Sequence, residues 1–150
     1  MNQRVIALAC DHAGFAAKEI VRAVIEAQGC TVLDCGTHSL DSVDYPDYAD
    51  ALAAALAKGE ATQGILLCGS GNGIAIAANR HAHIRAAVCH NGLSAKYARL
   101  HNDANVLAMG TRFLGSAVME ECVEAFLNTA FEGGRHQRRV EKLTRLGEAA

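Results

Sequence analysis

The sequence predicts an α/β fold: a Rossmann-like, doubly wound, five-stranded parallel sheet in three α/β/α layers, followed by a C-terminal helix. Two observations lead there. Short runs of branched apolar residues alternate along the chain with alanine-rich stretches of helical period, and polar or glycine-containing turns follow several of those runs. At 150 residues the chain has room for one core, since folding at this size buries about 70% of the surface an unfolded chain exposes. Nothing resembles a linker, a repeat or a low-complexity stretch, so residues 1–150 are expected to form one domain.

The strand-like runs, in order, are Val5 to Ala9, Thr31 to Asp34, Gly64 to Leu67, Arg85 to Val88 and Asn105 to Ala108. The helices between them are read at Phe15 to Gln28, Pro46 to Ala57, Asn72 to Asn79, Leu93 to Leu100 and Gly115 to Asn128. Pro46, the single proline, suits the first turn of its helix, where a backbone N–H would have no partner.

Composition narrows the function. A net charge of -2 leaves no basic excess to coat nucleic acid or an anionic membrane, so any anion must be caught locally. Val5 to Cys10 is too short for a signal-peptide core or a membrane span, which points to a cytoplasmic protein. The six cysteines contain no CxxC pair, and the Cys30 to Cys35 spacing lacks zinc-type partners; neither metal nor organic cofactor is expected.

In an open parallel sheet, ligands lie beyond the carboxyl ends of the strands. The segment after the third strand, Cys68-Gly69-Ser70-Gly71-Asn72-Gly73, is the most informative. Its glycines allow close backbone approach, and the helix start offers free amides to negative charge. It is no dinucleotide fingerprint, because Ile74 stands where the last glycine would fall, and no Walker-type Gly-Lys-Ser/Thr follows. A thiolate at Cys68 would be favoured by those amides and could move a carbon-bound proton while they hold an enediolate. Cys10, Cys30, Cys35, Cys89 and Cys122 are assigned to packing.

Asp11 and His12 follow the first strand, where they serve equally well as a helix cap with a solvated imidazole or as ligands of a small sugar phosphate. His101 is an acid/base candidate because imidazole titrates near neutrality, whereas His38, His81, His83 and His90 are read as surface residues. If the segment after Gly133-Gly134 is helical, Arg135 and Arg139 share one face as a two-pronged phosphate grip; a solvated basic helix end is the other reading. Arg112 is a third candidate phosphate ligand.

Together these pieces resemble the ribose-5-phosphate isomerase B family, which also includes the subunits of galactose-6-phosphate isomerase. The resemblance runs through CDHAGFAAK at 10–18, DYPDYA at 44–49, GILLCGSGNGIAIAANR at 64–80, HNDANVLAMGTR at 101–112 and EGGRHQRRV at 132–140. It implies cofactor-free isomerisation through an enediolate, in a homodimer with two shared sites or a dimer of dimers. By motif, Cys68 would carry the proton between C2 and C1, Ser70 would assist between O1 and O2, and the amides of Gly69 to Gly73 would hold the enediolate. His101, with Asp11 nearby, would open the sugar ring. His12, Arg112, Arg135 and Arg139 would take the phosphate, and Asn102 a sugar hydroxyl. One family branch replaces the cysteine by a glutamate slightly later, but here that stretch reads Ile74-Ala75-Ile76-Ala77. Asn72 stands where relatives often have a small apolar residue, so sugar preference is expected to shift. The implied reaction interconverts ribose 5-phosphate and ribulose 5-phosphate; the alternatives are a six-carbon sugar phosphate or a non-catalytic sugar-phosphate sensor.

Overall fold

The computed structural model describes residues 3–149. The order is β1 (Val5–Cys10), α1 (Phe15–Ala27), β2 (Thr31–Asp34), α2 (Tyr45–Ala57), β3 (Gln63–Cys68), α3 (Asn72–Ala78), β4 (Ala86–Val88), α4 (Gly92–Asn102), β5 (Val106–Gly110), α5 (Ser116–Asn128) and α6 (Arg135–Ala149). The strands form one five-stranded sheet in the order β2-β1-β3-β5-β4, and every pairing is parallel. The expected doubly wound sheet is present, and α6 supplies the C-terminal helix.

Alternation along β1 shows how the layers form. Ile6, Leu8 and Cys10 face a core shared with α1, α4 and α5, whereas Ala7 and Ala9 face a second core with α2 and α3. Side chains on successive strand residues point to opposite faces, so one strand feeds both layers. The two alanines leave space for Leu52 and Ala53 of α2, and full burial of a leucine or isoleucine contributes roughly 1.5–3 kcal/mol.

Helix α4 begins at a capping box, in which Asn91 accepts from the Ser94 amide at 2.8 Å and Ser94 Oγ accepts from the Asn91 amide at 3.2 Å. It runs two residues beyond its expected end, so His101 and Asn102 occupy its last turn rather than a loop. Asp103 then stops it in the left-handed region at φ 44°, a role more often given to glycine. Arg99 Nη1 reaches Asp103 Oδ1 at 2.8 Å, and Arg85 Nε donates to the Asp103 carbonyl at 2.9 Å. These contacts hold the aspartate in a conformation it rarely adopts.

One buried charge joins the two sides of the β2 edge. Lys18 is 2% exposed; its Nζ donates to the Thr37 carbonyl at 2.6 Å and pairs with Asp34, whose other oxygen meets Arg22 at 2.7 Å. Burial alone would raise the Asp34 carboxyl, but hydrogen bonds from Lys18 and the Gly36 amide, with the lysine charge, outweigh it and bring the value below the usual range. Asp34 therefore contributes stability that is complete above the unfolded carboxylate value and is lost as pH falls through the lower folded one. Lys18→Met is expected to cost about 3 kcal/mol at neutral pH in denaturant unfolding, the low end for breaking a buried pair because Arg22 remains. The gap from the native protein should narrow as pH falls below about 4, the unfolded carboxylate value, and close only at the lower pH where the native Asp34 protonates.

Candidate active site

The order β2-β1-β3 makes the carboxyl ends of β1 and β3 a topological switch point, because the chain leaves β1 in one direction and crosses to its other side through β3. A cavity of about 280 Å³ opens there, lined by Asp11, His12, Ala13, Tyr45, Cys68, Gly69, Ser70, Gly73 and Arg112. Seven residues singled out from sequence are therefore brought together.

The loop after β3 is shaped by close backbone approach. Gly71 sits at φ +80°, and a Cβ there would lie 2.9 Å from the Met109 carbonyl carbon. On the facing strand end, a Cβ on Gly110 would meet the Ser70 backbone at 2.5 Å. Neither position has room for a side chain. Thr111 fastens the same junction: its amide donates to the Cys68 carbonyl at 2.9 Å and its hydroxyl to the Ala13 carbonyl at 2.9 Å.

Cys68 closes β3 and is 4% exposed. The Gly71 amide donates to its Sγ at 3.1 Å. The sulfurs of Cys30, Cys35 and Cys89 instead turn back toward carbonyls two residues earlier. Burial pushes the Cys10 thiol up to about 11 and the Cys122 thiol up to about 12, and it also raises Cys35 and Cys89. Those four are thiols at neutral pH, as packing residues should be.

The amides of the loop divide. That of Gly71 serves the sulfur and that of Asn72 donates to Ser70 Oγ at 3.1 Å, whereas those of Gly69, Ser70 and Gly73 find no acceptor among the described residues. Gly71 and Asn72 do not line the cavity, and the Asn72 side chain is exposed at the start of α3. A ligand anion would thus meet three amides, not the five that the loop contains.

Asp11 combines both of its readings. Its Oδ1 accepts from the Ala13 and Gly14 amides at 3.0 and 3.1 Å, holding the turn into α1, while its carboxylate also lines the cavity. His12 Nδ1 accepts from the Val43 amide at 3.1 Å, so its proton sits on Nε2 as a donor for a ligand. Arg112 lies across Gly69, its Nε 3.3 Å from where a Cβ would project. Tyr45, which sequence reasoning passed over, packs its ring on the bare backbone of Gly73, 2.7 Å from a Cβ position.

The remaining candidates lie elsewhere. A second cavity of about 350 Å³ is lined by His101, Asn102, His136, Arg139, Val140 and Leu143. Each helix returns against the strand direction, so the end of α4 lies at the amino ends of the strands. The length of β5 alone separates the two cavities by roughly 16 Å, at about 3.3 Å per residue. Within one chain, Asp11 is therefore not beside His101. Arg135 and Arg139 do share a helix; Arg139 lines the second cavity, and Arg135 Nη1 lies 4.0 Å from Glu132 Oε1. His38, His83 and His90 are exposed, and half-buried His81 pairs with Asp50 at 2.7 Å.

His101 stacks on His136 with ring centroids 4.2 Å apart and planes inclined by 14°, and Tyr97 covers it at 4.9 Å. Burial, then the neighbouring His101, hold the His136 imidazole below its usual range. With Glu132 these imidazoles gather donor atoms within 4.8 Å of one another. The rings are nearly parallel, so their in-plane lone pairs run side by side rather than converging, which suits proton sharing better than metal coordination.

Fold and cavity define a doubly wound α/β protein with a thiol and free amides facing a small cavity at its switch point. A family model described as Ribose/Galactose Isomerase matches residues 6–143. Ribose-5-phosphate isomerase B of Escherichia coli (strain K12) is 50% identical over 139 residues, 93% of each chain. The solved type B ribose 5-phosphate isomerase of Trypanosoma brucei aligns with a TM-score of 0.94 at 43% identity, covering 97% of this chain and 99% of that one. Clostridium thermocellum ribose-5-phosphate isomerase B gives 0.94 at 42% identity, covering 97% and 98%. The chain belongs to the ribose/galactose isomerase family.

Cys68→Ala is expected to remove nearly all isomerase turnover while sugar-phosphate binding, followed by calorimetry, persists. Near-native kcat in that variant would take Cys68 out of the chemistry. Alkylation of Cys68 should inactivate the protein, and bound substrate should slow that reaction.

Proposed function

We propose that this chain interconverts ribose 5-phosphate and ribulose 5-phosphate through an enediolate, in sites each built from two copies of the chain. The observation that carries this reading is the division of chemistry between two cavities at opposite ends of one sheet. One holds the thiol, free amides and a donor imidazole. The other holds the His101 and His136 imidazoles and Arg139 of α6, with Arg135 on the same helix. Neither suffices for a cyclic aldose phosphate. A two-fold pair of chains places each cavity against the other's complement, because an isologous interface repeats every contact reciprocally.

Exposed apolar side chains favour such a pairing. Tyr45, Ile76 and Phe113 stand beside the Cys68 cavity or its loops, and Tyr97 lies on α4 against His101. Exposed apolar groups next to functional clefts mark association surfaces.

In the assembled site, Arg135 and Arg139 with His12 and Arg112 hold the phosphate, and Asn102 holds a sugar hydroxyl. His101 opens the furanose. Cys68 takes the C2 proton and returns it to C1, while the amides of Gly69, Ser70 and Gly73 stabilise the enediolate and Ser70 passes the hydroxyl proton between O2 and O1. Asp11, anchored through Oδ1, directs its carboxylate at the sugar hydroxyls.

Mixing subunits tests the pairing. Cys68→Ala and His101→Asn proteins should each be nearly inactive with ribose 5-phosphate. Unfolded and refolded together in equal amounts, they should regain about a quarter of native activity, since half the pairs are mixed and each mixed pair has one intact site. No recovery, with mixed pairs present by native mass spectrometry, would place Cys68 and His101 in the same chain's site.

The phosphate assignment makes its own demand. Arg135→Gln or Arg139→Gln should mainly raise KM, roughly 10- to 100-fold, because a phosphate contact worth about 1.5–3 kcal/mol is made in ground and transition states alike. Steady-state kinetics with unchanged KM in both would reduce the pair to a solvated helix end.

A further inference from the structure

We infer that Glu132 and His136 are positioning residues for His101: one carboxylate faces two stacked imidazoles and fixes which nitrogen of His101 carries its proton. This rests on the reading that His101 opens the sugar ring, and it concerns residues that the reading leaves without a task.

The geometry comes from a tight turn. Gly133 and Gly134 both adopt positive φ, 72° and 56°, and so turn the chain from Glu132 into α6 within two residues. The Glu132 amide donates to the Leu100 carbonyl at 3.1 Å, which ties this turn to the residue before His101. The carboxylate then addresses both rings, with Oε2 3.8 Å from His101 Nε2 and Oε1 3.9 Å from His136 Nε2. His136 is 5% exposed, and its Nε2 has no hydrogen-bond partner among the described residues. A buried polar atom left in this way costs free energy unless a partner closes on it. Glu132 is the acidic group within reach, and its side chain is partly exposed and can move.

Other groups around His101 do not replace it. Tyr97, on the same helix, packs its ring against His101 at an inclination of 59°. Arg139 lines the cavity, and Arg135 stands behind Glu132. Asp103, which follows α4, is held by Arg85 and Arg99.

A carboxylate at Nε2 favours the tautomer protonated there and leaves the Nδ1 lone pair for the sugar. Ring opening then balances on that one nitrogen. Nδ1 takes the proton from the O1 hydroxyl as C1=O1 forms, and delivers it to O4 as the C1–O4 bond breaks. His136, stacked on the same ring and kept uncharged by its burial, fixes the plane of His101 rather than its charge.

The test compares pH profiles of kcat/KM for ribose 5-phosphate in the native protein, Glu132→Gln, His136→Phe and His101→Asn. The ionisation missing from His101→Asn identifies that of His101. In Glu132→Gln this ionisation should move to lower pH and kcat/KM should fall roughly 10-fold or more; in His136→Phe, which keeps a stacked ring and removes no charge, it should stay in place. Solvent deuterium exchange at C1 of ribulose 5-phosphate, an open-chain ketose, should be unchanged in both. Glu132 is nearly half exposed, so its variant carries the test even if His136→Phe fails to fold. An unshifted ionisation in Glu132→Gln, with His101→Asn still severely slowed, overturns the positioning role and leaves the ring-opening role standing. Native turnover of ribose 5-phosphate by His101→Asn overturns both.

Discussion

A parallel sheet imposes a polarity on everything attached to it. All five strands point one way, and each helix must return the other way before the next strand can begin. A residue just after a strand and a residue at the end of a helix therefore emerge at opposite edges of the molecule. Cys68 closes β3 and His101 lies in the last turn of α4, so the fold itself assigns them to different ends. No loop rearrangement short of unfolding α4 would bring them together in one chain. The proton transfer and ring opening proposed for these two residues must then either be uncoupled or be joined by a second chain.

Local precision at the Cys68 end depends on backbones meeting without side chains between them. Gly110 accepts the Ser70 backbone against its bare Cα, and Thr111 then links the ends of β3 and β5 to the turn after β1. A slip at any of these points would move the sulfur relative to the free amides, and sub-ångström placement is what a preorganised oxyanion site requires. The Lys18 network extends the same constraint outward. It holds Asp34 and Thr37, and the segment that continues from them carries Val43, whose amide orients His12. Stability at the β2 edge and the direction of a ligand donor thus share one buried ammonium.

Much of this was legible in the sequence, and the limits have physical causes. Strand and helix order followed from hydrophobic period, because each β1 residue must choose a face and apolar residues occupy both. The Cys68 loop was legible because three glycines in six residues have few other uses. The end of α4 was not, since an aspartate stops it where glycine is usual, held by Arg99 of the same helix and by Arg85 from before β4. Tyr45 was hidden for a similar reason. Its contact is with the backbone of Gly73, and an absent side chain leaves no pattern pointing to its neighbour. The pairing of Glu132 and His136 with His101 depends on two positive-φ glycines and on where α6 docks, and the sequence, read only for a helix after Gly133-Gly134, did not point to it. The separation of the two cavities was implicit in strand polarity, but sheet order was needed to turn that polarity into distance.

The cysteines show how position rather than residue type sets chemistry here. Six occur in the chain, and five of them pack as small hydrophobes. Cys10 and Cys68 both end strands of the same sheet, one strand apart and with almost no exposure, so neither burial nor sheet position separates them. What differs is the chain that follows. After Cys10 the turn is held by Asp11, whose carboxylate takes the amides of Ala13 and Gly14, and the thiol remains in the core with α1. After Cys68 no acidic side chain takes the amides; glycine lets the loop fold back until one N–H meets the sulfur, and three others stay open to a ligand. Residue direction completes the distinction, because side chains on Cys10 and Cys68 belong to opposite faces of the sheet. A thiol becomes a candidate base where the backbone beside it is left with donors to spare.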